Sequence, residues 1–459
     1  MFPLLFALAC SGKGDDVHHT VRHDSDVPLK TEGPLVLLIV LDTLRADHLS
    51  QYGYDASVSP GLEHLAATST RFAHAYAPAP WTLPSTTSIL TGNHPLRHGL
   101  RHSGDVLPPE AVTLAETLRE AGWATAGWSY NVNIAPSQGH DQGFDEFTSN
   151  TGKVLAYPHA GRMTAAAAEW LKARPTTPAL VYLQPMNCHG PYKVPRARRS
   201  TLLGRDPSEV FVYYGPLMKS IMRRGQLDAR DNVGPKYLGS LKEQYTTAIR
   251  YETDEVGKLL AGLEADGRYD DALIVLTSDH GEELYDHGGF SHGYTLYDEL
   301  MHVPLFVKLP GQKESRVVEA AVSTVDVTPT VLDALGLPVP ELDGRSLRAA
   351  AAGAPIGSAD QIFDVHWAKR TIAQGFLRDG WKLVRTTSDY QGVKGEHGLF
   401  HLAEDPGENH DLSATDPARL AELGQLLDSA VKRLEGGAQP QNVLSDMDRD
   451  QLEALGYLE

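Results

Sequence analysis

Asp42, Asp279 and His280 are residue types that hold a divalent cation, and they stand at the ends of two apolar runs. Asp42 follows PLVLLIVL, Pro34 to Leu41, and Asp279-His280 follows ALIVLTS, Ala272 to Ser278. A carboxylate at a buried strand end is costly unless it is paired or metal-bound. Alone, Asp42 reads as readily as a helix cap or half of an ion pair. Beside Ser278-Asp279-His280-Gly281-Glu282, a shared cation is the better account, with Asp42, Asp279 and His280 as its ligands. Two carboxylates and an imidazole suit zinc or manganese, whereas calcium prefers oxygen throughout.

A nucleophile candidate lies in Trp81-Thr82-Leu83-Pro84-Ser85-Thr86-Thr87-Ser88. Proline is tolerated in a first helical turn, which places Thr82 just before a helix N-terminus. Free N–H groups and the helix dipole favour an anion there, such as a phosphoryl or sulfuryl group. A metal on the Thr82 oxygen would lower its pKa and make it nucleophilic near neutral pH. Thr82 serves a plain capping role equally well on this stretch alone.

Such residues need a scaffold that brings them together. From residue 34, short apolar runs alternate with helical segments, which predicts an α/β fold with a large, mixed, mostly parallel sheet sandwiched by helices. Strands are expected at Pro34 to Leu41, Gly122 to Ser129, Ala179 to Gln184 and Ala272 to Ser278, and Ser59-Pro60 opens a helix. Their polar ends are Asp42, Asn131, Asn187-Cys188-His189 and Asp279-His280. In open α/β sheets the site lies beyond the carboxyl ends of the strands. Residues 195–240 read as an irregular insertion near the entrance. GFLRDGWKLVRT and HGLFHLAED then read as antiparallel strands, and Pro417 to Leu434 as an amphipathic helix. The expected units are 1–33, a leader and flexible tether; 34–355, the catalytic domain; 356–436, a small subdomain of antiparallel sheet plus helix; and 437–459, a tail.

A net charge of −18 lacks the basic patch that a nucleic-acid partner requires. Two cysteines, Cys10 and Cys188, are too few for a disulfide framework or a cysteine zinc site. Cys188 reads as a small buried residue. The run MFPLLFALA is far shorter than the roughly 20 residues that span a bilayer, and it suits the apolar region of a signal peptide. Ala7-Leu8-Ala9-Cys10 resembles a bacterial lipobox, with Ala7 where leucine is usual and no Lys or Arg before the run. This predicts an exported lipoprotein of the bacterial cell envelope, periplasm-facing, anchored only through a lipid on Cys10. The polar stretch 11–33, with His18, His19 and His23, reads as a solvated linker.

From about residue 35 to 435 the chain resembles the sulfatase family of the alkaline-phosphatase superfamily. VLLIVLDTLRADHLSQYG is similar to the first metal block of that family, WTLPSTTSILTG with HPLRHG to its nucleophile motif, and TSDHGEELYDHGGFSHGY to its second metal block. VDVTPTVLDALGLPVPELDGRSL resembles the block closing the large domain, and GWKLVRT with GLFHLAEDPGENHDL the C-terminal subdomain. The resemblance implies an ester hydrolase with one tightly held divalent ion. It also implies that His189 in CHGPY and His292 in FSHGY contact the anion or the leaving group, and that Asn131 meets an oxygen of the substrate.

Departures from the family pattern shape the expected chemistry. Thr82 stands where the family carries a Cys or Ser converted to formylglycine, and Thr86 where it carries Arg. Leu41 precedes Asp42 in place of a second aspartate, and His280 stands where calcium-dependent members have Asn. The set Asp42, Thr82, Asp279 and His280 is closer to phosphodiesterases and phosphoryl-group transferases of the superfamily, in which a metal-activated hydroxyl suffices. The expected activity is hydrolysis of phosphate mono- or diesters of a lipid, glycan or small molecule. Alternatives are sulfate-ester hydrolysis without formylglycine, transfer of a phosphoethanolamine or phosphoglycerol group, and a non-catalytic lipoprotein binding anionic glycans. Glu282 and His287 are weaker site candidates. Asp298 and His302 have the spacing for a second ion but read as a helix-to-strand connection.

Overall fold

The computed structural model describes residues 18–23, 27–150, 159–205, 235–367, 371–386 and 397–436. Cys10 with its lipobox, and the tail 437–459, lie outside the described residues. Among the described residues no helix is long and apolar enough to cross a membrane.

Nine strands form one sheet: β1 (His18–Arg22), β2 (Leu35–Val40), β3 (Thr70–Tyr76), β4 (Ala124–Ser129), β5 (Glu146–Asn150), β6 (Ala179–Gln184), β7 (Leu273–Thr277), β10 (His302–Lys308) and β11 (Arg316–Ser323). The hairpin β8 (Glu283–Leu284) and β9 (Phe290–Ser291) stands apart from it. The sheet order is β1-β5-β4-β6-β2-β7-β10-β3-β11. Pairing is parallel from β5 through β7 and again between β3 and β11, while β1 and β10 run antiparallel to their neighbours. In register, β2 sets Ile39 opposite Leu183 and Leu276.

Continuous apolar runs suit strands covered on both faces, and β2 is buried along its whole length. Side chains alternate between faces along a strand, so Leu37 and Ile39 join the core beneath helices Ala160–Lys172 and Pro235–Ala265, where they cluster with Met163, Tyr245 and Ile249. Val36, Leu38 and Val40 face the opposite core, with Ile89 of helix Thr82–Thr91 and Val331 of helix Val327–Ala334.

A second, antiparallel sheet is formed by β12 (Gln361–Trp367), β13 (Thr371–Arg378), β14 (Trp381–Thr386) and β15 (His397–His401). Helix Pro417–Leu434 lays Leu423, Leu427 and Ala430 on it, and Asp416 caps the helix by accepting from the Arg419 N–H at 2.9 Å. Lys382 of β14 is wholly buried at the junction of the two sheets, 2.7 Å from Asp298 and 2.9 Å from Glu408.

Two expectations are corrected. Part of the expected tether, His18–Arg22, is an edge strand paired with β5, and His23 bonds Asp141 at 2.8 Å. A short polar edge strand needs no apolar alternation, so its sequence looks like linker. The stretch expected to be irregular contains helix Arg196–Leu203 and the start of the long helix Pro235–Ala265, while 206–234 lie outside the described residues. Helix Arg196–Leu203 buries only Leu202, which leaves little periodic signal.

Candidate active site

Strands β4, β6, β2 and β7 are neighbours and end on the same side of the sheet. Asn131, Gln184, Asp42 and Asp279-His280 therefore converge although they are far apart in the chain; the Thr43 to Asp279 contact alone spans 236 positions. One ligand atom each from Asp42, Asp279 and His280 can be chosen so that all lie within 4.8 Å of one another. The three side chains are fully buried.

Hydrogen bonds set the facing of each ligand. The N–H groups of Thr43 (3.2 Å) and His280 (3.0 Å) donate to Asp279 Oδ1, leaving Oδ2 toward the cluster. Thr43 holds φ at 60°, a strained value for a β-branched residue, and this turn aims its N–H at Asp279. His280 Nδ1 donates to the Gly281 carbonyl at 2.9 Å, which fixes the tautomer and turns the Nε2 lone pair inward. A Cβ at Gly281 would lie 1.9 Å from the Glu299 carbonyl oxygen, so only glycine lets this turn pack so closely.

Thr82 is the first residue of helix Thr82–Thr91, with Trp81 at the cap position, one place further into the helix than its sequence suggests. Its side chain makes no capping bond; Oγ1 instead lies 3.3 Å from His280 Nε2 and accepts from Asn131 Nδ2 at 3.0 Å. Asn131 also donates to Asp42 Oδ2 at 2.7 Å, so it ties the threonine to the carboxylate.

Burial, and then the adjacent Asp279, push the Asp42 carboxyl well above the usual carboxylate range. Asp42 Oδ1 is buried without a hydrogen-bond partner. An orphaned carboxylate oxygen, a second carboxylate and an inward imidazole lone pair are a donor set that fits a divalent cation.

His189, His292 and His280 form a row, with ring centroids 4.8 Å apart for His189 and His292 and 4.5 Å for His280 and His292. Burial lowers His292 and His280 to about 3 and His189 to about 4. Behind the row, Glu282 Oε1 lies 3.1 Å from His292 Nδ1, and burial raises Glu282 to about 7. Glu282 thus backs His292, a closer place than its sequence signal suggested.

His287 lies away from this cluster, 2.6 Å from Glu299, while Asp298 and His302, read as a helix-to-strand connection, open a short helix and the strand after it, where Asp298 binds Lys382 and His302 bonds the Ala73 carbonyl at 2.8 Å. Sequence reasoning overlooked Gln184 and Glu252. Gln184 carries the strand-end polar signal that marked the others. Glu252 sits mid-helix, where nothing in the pattern shows that it accepts from the Asn187 N–H (3.0 Å) and the Cys188 thiol (2.6 Å) and so holds the turn before His189.

The fold and this strand-end cluster define an ester hydrolase with a site suited to a divalent ion. The sulfatase family model matches residues 34–337, and that of the N-sulphoglucosamine sulphohydrolase C-terminal region matches 286–435. The chain belongs to the sulfatase family. It is similar to arylsulfatase K of Rattus norvegicus, 24% identical over 87% of this chain and 78% of that protein. Steryl-sulfatase of Mus musculus is 26% identical over 87% of this chain and 81% of that protein. Among solved structures, a phosphonate monoester hydrolase of Agrobacterium radiobacter superposes with a TM-score of 0.71 at 21% identity, covering 88% of this chain and 96% of that one.

Proposed function

We propose that the chain hydrolyses phosphate mono- or diesters with Thr82 as nucleophile. The observation that carries this reading is the Thr82 hydroxyl, which points into the Asp42–Asp279–His280 cluster rather than capping its helix. A zinc or manganese ion held by Asp42, Asp279, His280 and the Thr82 oxygen would supply positive charge and favour the threonine alkoxide. Thr82 Oγ1 bonds to phosphorus as the ester oxygen leaves. Water then cleaves the phospho-threonine and restores the hydroxyl. His189 and His292 stabilise the anion, and its charge favours their protonation, so that one delivers the proton to the leaving oxygen. Asn131 orients Thr82, and as Oγ1 bonds to phosphorus the Nδ2 proton that served it turns to a phosphoryl oxygen.

Relatives bear names of aryl and steryl sulfatases, so sulfate esters are the competing substrates. Threonine favours phosphate, because it cannot yield the formylglycine whose hydrate expels sulfate. On paired aryl phosphate and aryl sulfate substrates, phosphodiester turnover should dominate and fall at least about 10³-fold in Thr82→Ala with the ion retained. Undiminished turnover in that variant removes Thr82 from the chemistry, and a strong sulfate preference reverses the substrate class.

The same reading extends to location: an exported lipoprotein of the bacterial envelope, facing the periplasm and acylated at Cys10. Incorporation of a labelled fatty acid into the full chain, lost in Cys10→Ser, is the expected result; equal labelling of both would move the anchor elsewhere.

A further inference from the structure

Gln184 ends β6 between the two site carboxylates, and ordinary hydrogen bonding does not explain its contacts. Its Nε2 faces Asp42 Oδ2 at 3.2 Å, Thr86 Oγ1 at 3.2 Å and Asp279 Oδ2 at 3.4 Å. An amide nitrogen has two protons for these three oxygens. Every separation also exceeds the usual N–H···O distance of about 2.9–3.0 Å. Ligands placed about 2.1 Å from an octahedral ion, by contrast, lie about 3.0 Å from their neighbours, and further apart when the metal bonds lengthen.

Similar separations recur around the cluster, at 3.3 Å for Thr82 Oγ1 to His280 Nε2 and 3.5 Å for Asp279 Oδ2 to His280 Nε2. Asn131 differs, since its 2.7 Å approach to Asp42 is that of a charge-assisted hydrogen bond. The Gln184 amide end thus occupies a corner of the same polyhedron, while Asn131 braces it from outside.

The other end of the amide permits a ligand role. Gln184 Oε1 accepts from the Tyr182 hydroxyl, and both side chains are buried. A tyrosine hydroxyl can donate or accept, so the amide can turn over and keep this contact, with Nε2–H then donating to the Tyr182 oxygen. Turned in this way, Oε1 faces both carboxylates, which is repulsive unless a cation lies among them.

We propose that Gln184 is a ligand of the divalent ion through Oε1, held in that orientation by the Tyr182 hydroxyl. Amide oxygen then stands beside two carboxylates and an imidazole, and the site gains a ligand without gaining negative charge. This rests on the metal-centre reading above.

Two measurements on the full chain with manganese(II) test it. In a crystal structure of the loaded protein, one Gln184 amide atom should lie within about 2.0–2.4 Å of the ion. Chelator competition should show Gln184→Ala binding manganese at least about 10-fold more weakly, with a smaller loss in Tyr182→Phe. An amide more than about 3 Å from the ion, or Gln184→Ala affinity within about twofold of the parent, overturns the proposal. Asp279→Asn separates the two levels. Loss of binding there with unchanged Gln184→Ala rejects Gln184 alone, whereas unchanged binding in both rejects the metal centre. If Gln184→Ala does not fold, the distance in the loaded parent decides.

Discussion

Two acidic groups buried side by side are tolerable only with compensation, and Asp42 shows how little the protein itself supplies. Asn131 donates to Oδ2 at 2.7 Å, while Oδ1 has no hydrogen-bond partner. An ion that binds only the folded chain stabilises it by mass action, about 4 kcal/mol at a free concentration 1,000 times Kd. Chelation should therefore lower the melting temperature. Asp42→Asn removes the repulsion, so the chelated variant should melt no lower than the chelated parent, yet gain little on adding zinc or manganese. Equal ion-dependent gains in both proteins would exclude Asp42 as a ligand. At this scale the sequence was informative where a polar residue closed an apolar run, as at Asp42, Asn131 and Asp279. Glu252 escaped notice because helix Pro235–Ala265 is charged along much of its length, and only packing shows which acid turns inward.

The elements explain why separated motifs meet. Parallel strands present all their carboxyl ends on one side of a sheet, so β4, β6, β2 and β7 deliver Asn131, Gln184, Asp42 and Asp279 to one locus. Helix Thr82–Thr91 then enters with its N-terminus at that locus and with all ten residues buried. Gly92, at φ 71°, ends it in the left-handed conformation that closes the last turn. The four expected strands agree with β2, β4, β6 and β7 to within a few residues. These are central strands, whose two buried faces demand unbroken apolar runs. Toward the edges that demand relaxes: β1 carries a mixed sequence that reads as linker, and β5 and β11 are absent from the expected strands. β11 shows this directly, with Val317 half exposed and partly exposed neighbours on either side.

On the scale of the whole molecule, the junction between the two sheets joins an apolar cluster, in which Phe363, Val365 and Leu377 meet Tyr76, Met301 and Val303, to a charged lock. Lys382 is buried with Asp298 and Glu408, and His287 reaches from the second metal block to the Gly407 carbonyl at 3.1 Å. The other nitrogen of His287 meets Glu299 at 2.6 Å, and its ring stacks on Tyr297 with centroids 3.6 Å apart. A carbonyl only accepts, so Nε2 carries a proton, and the carboxylate favours a second on Nδ1. Burial pulls His287 down, but the Glu299 bond and the charges of Glu299, Glu408 and Glu283 outweigh it and raise the group to about 9. A folded value above the unfolded value of about 6.5 gives stability that is complete below pH 6.5 and lost as pH rises through 9. Unfolding free energy of the parent should therefore fall by on the order of 2 kcal/mol across that interval, and His287→Gln should flatten the slope. Equal slopes in the two proteins would remove His287 from the lock.

Composition, apolar runs and motif order were enough to establish the α/β class, the family and most of the cluster around Asp42, because burial on both faces and ligand chemistry each restrict residue type. Tertiary structure alone decided which way each polar group turns. It aimed the Thr82 oxygen at His280 rather than at its own helix, set Gln184 between two carboxylates, placed Glu282 behind His292 and carried His287 to the turn at Gly407 beyond β15. A side chain's direction depends on neighbours that only the folded chain brings within reach, and no local pattern records them.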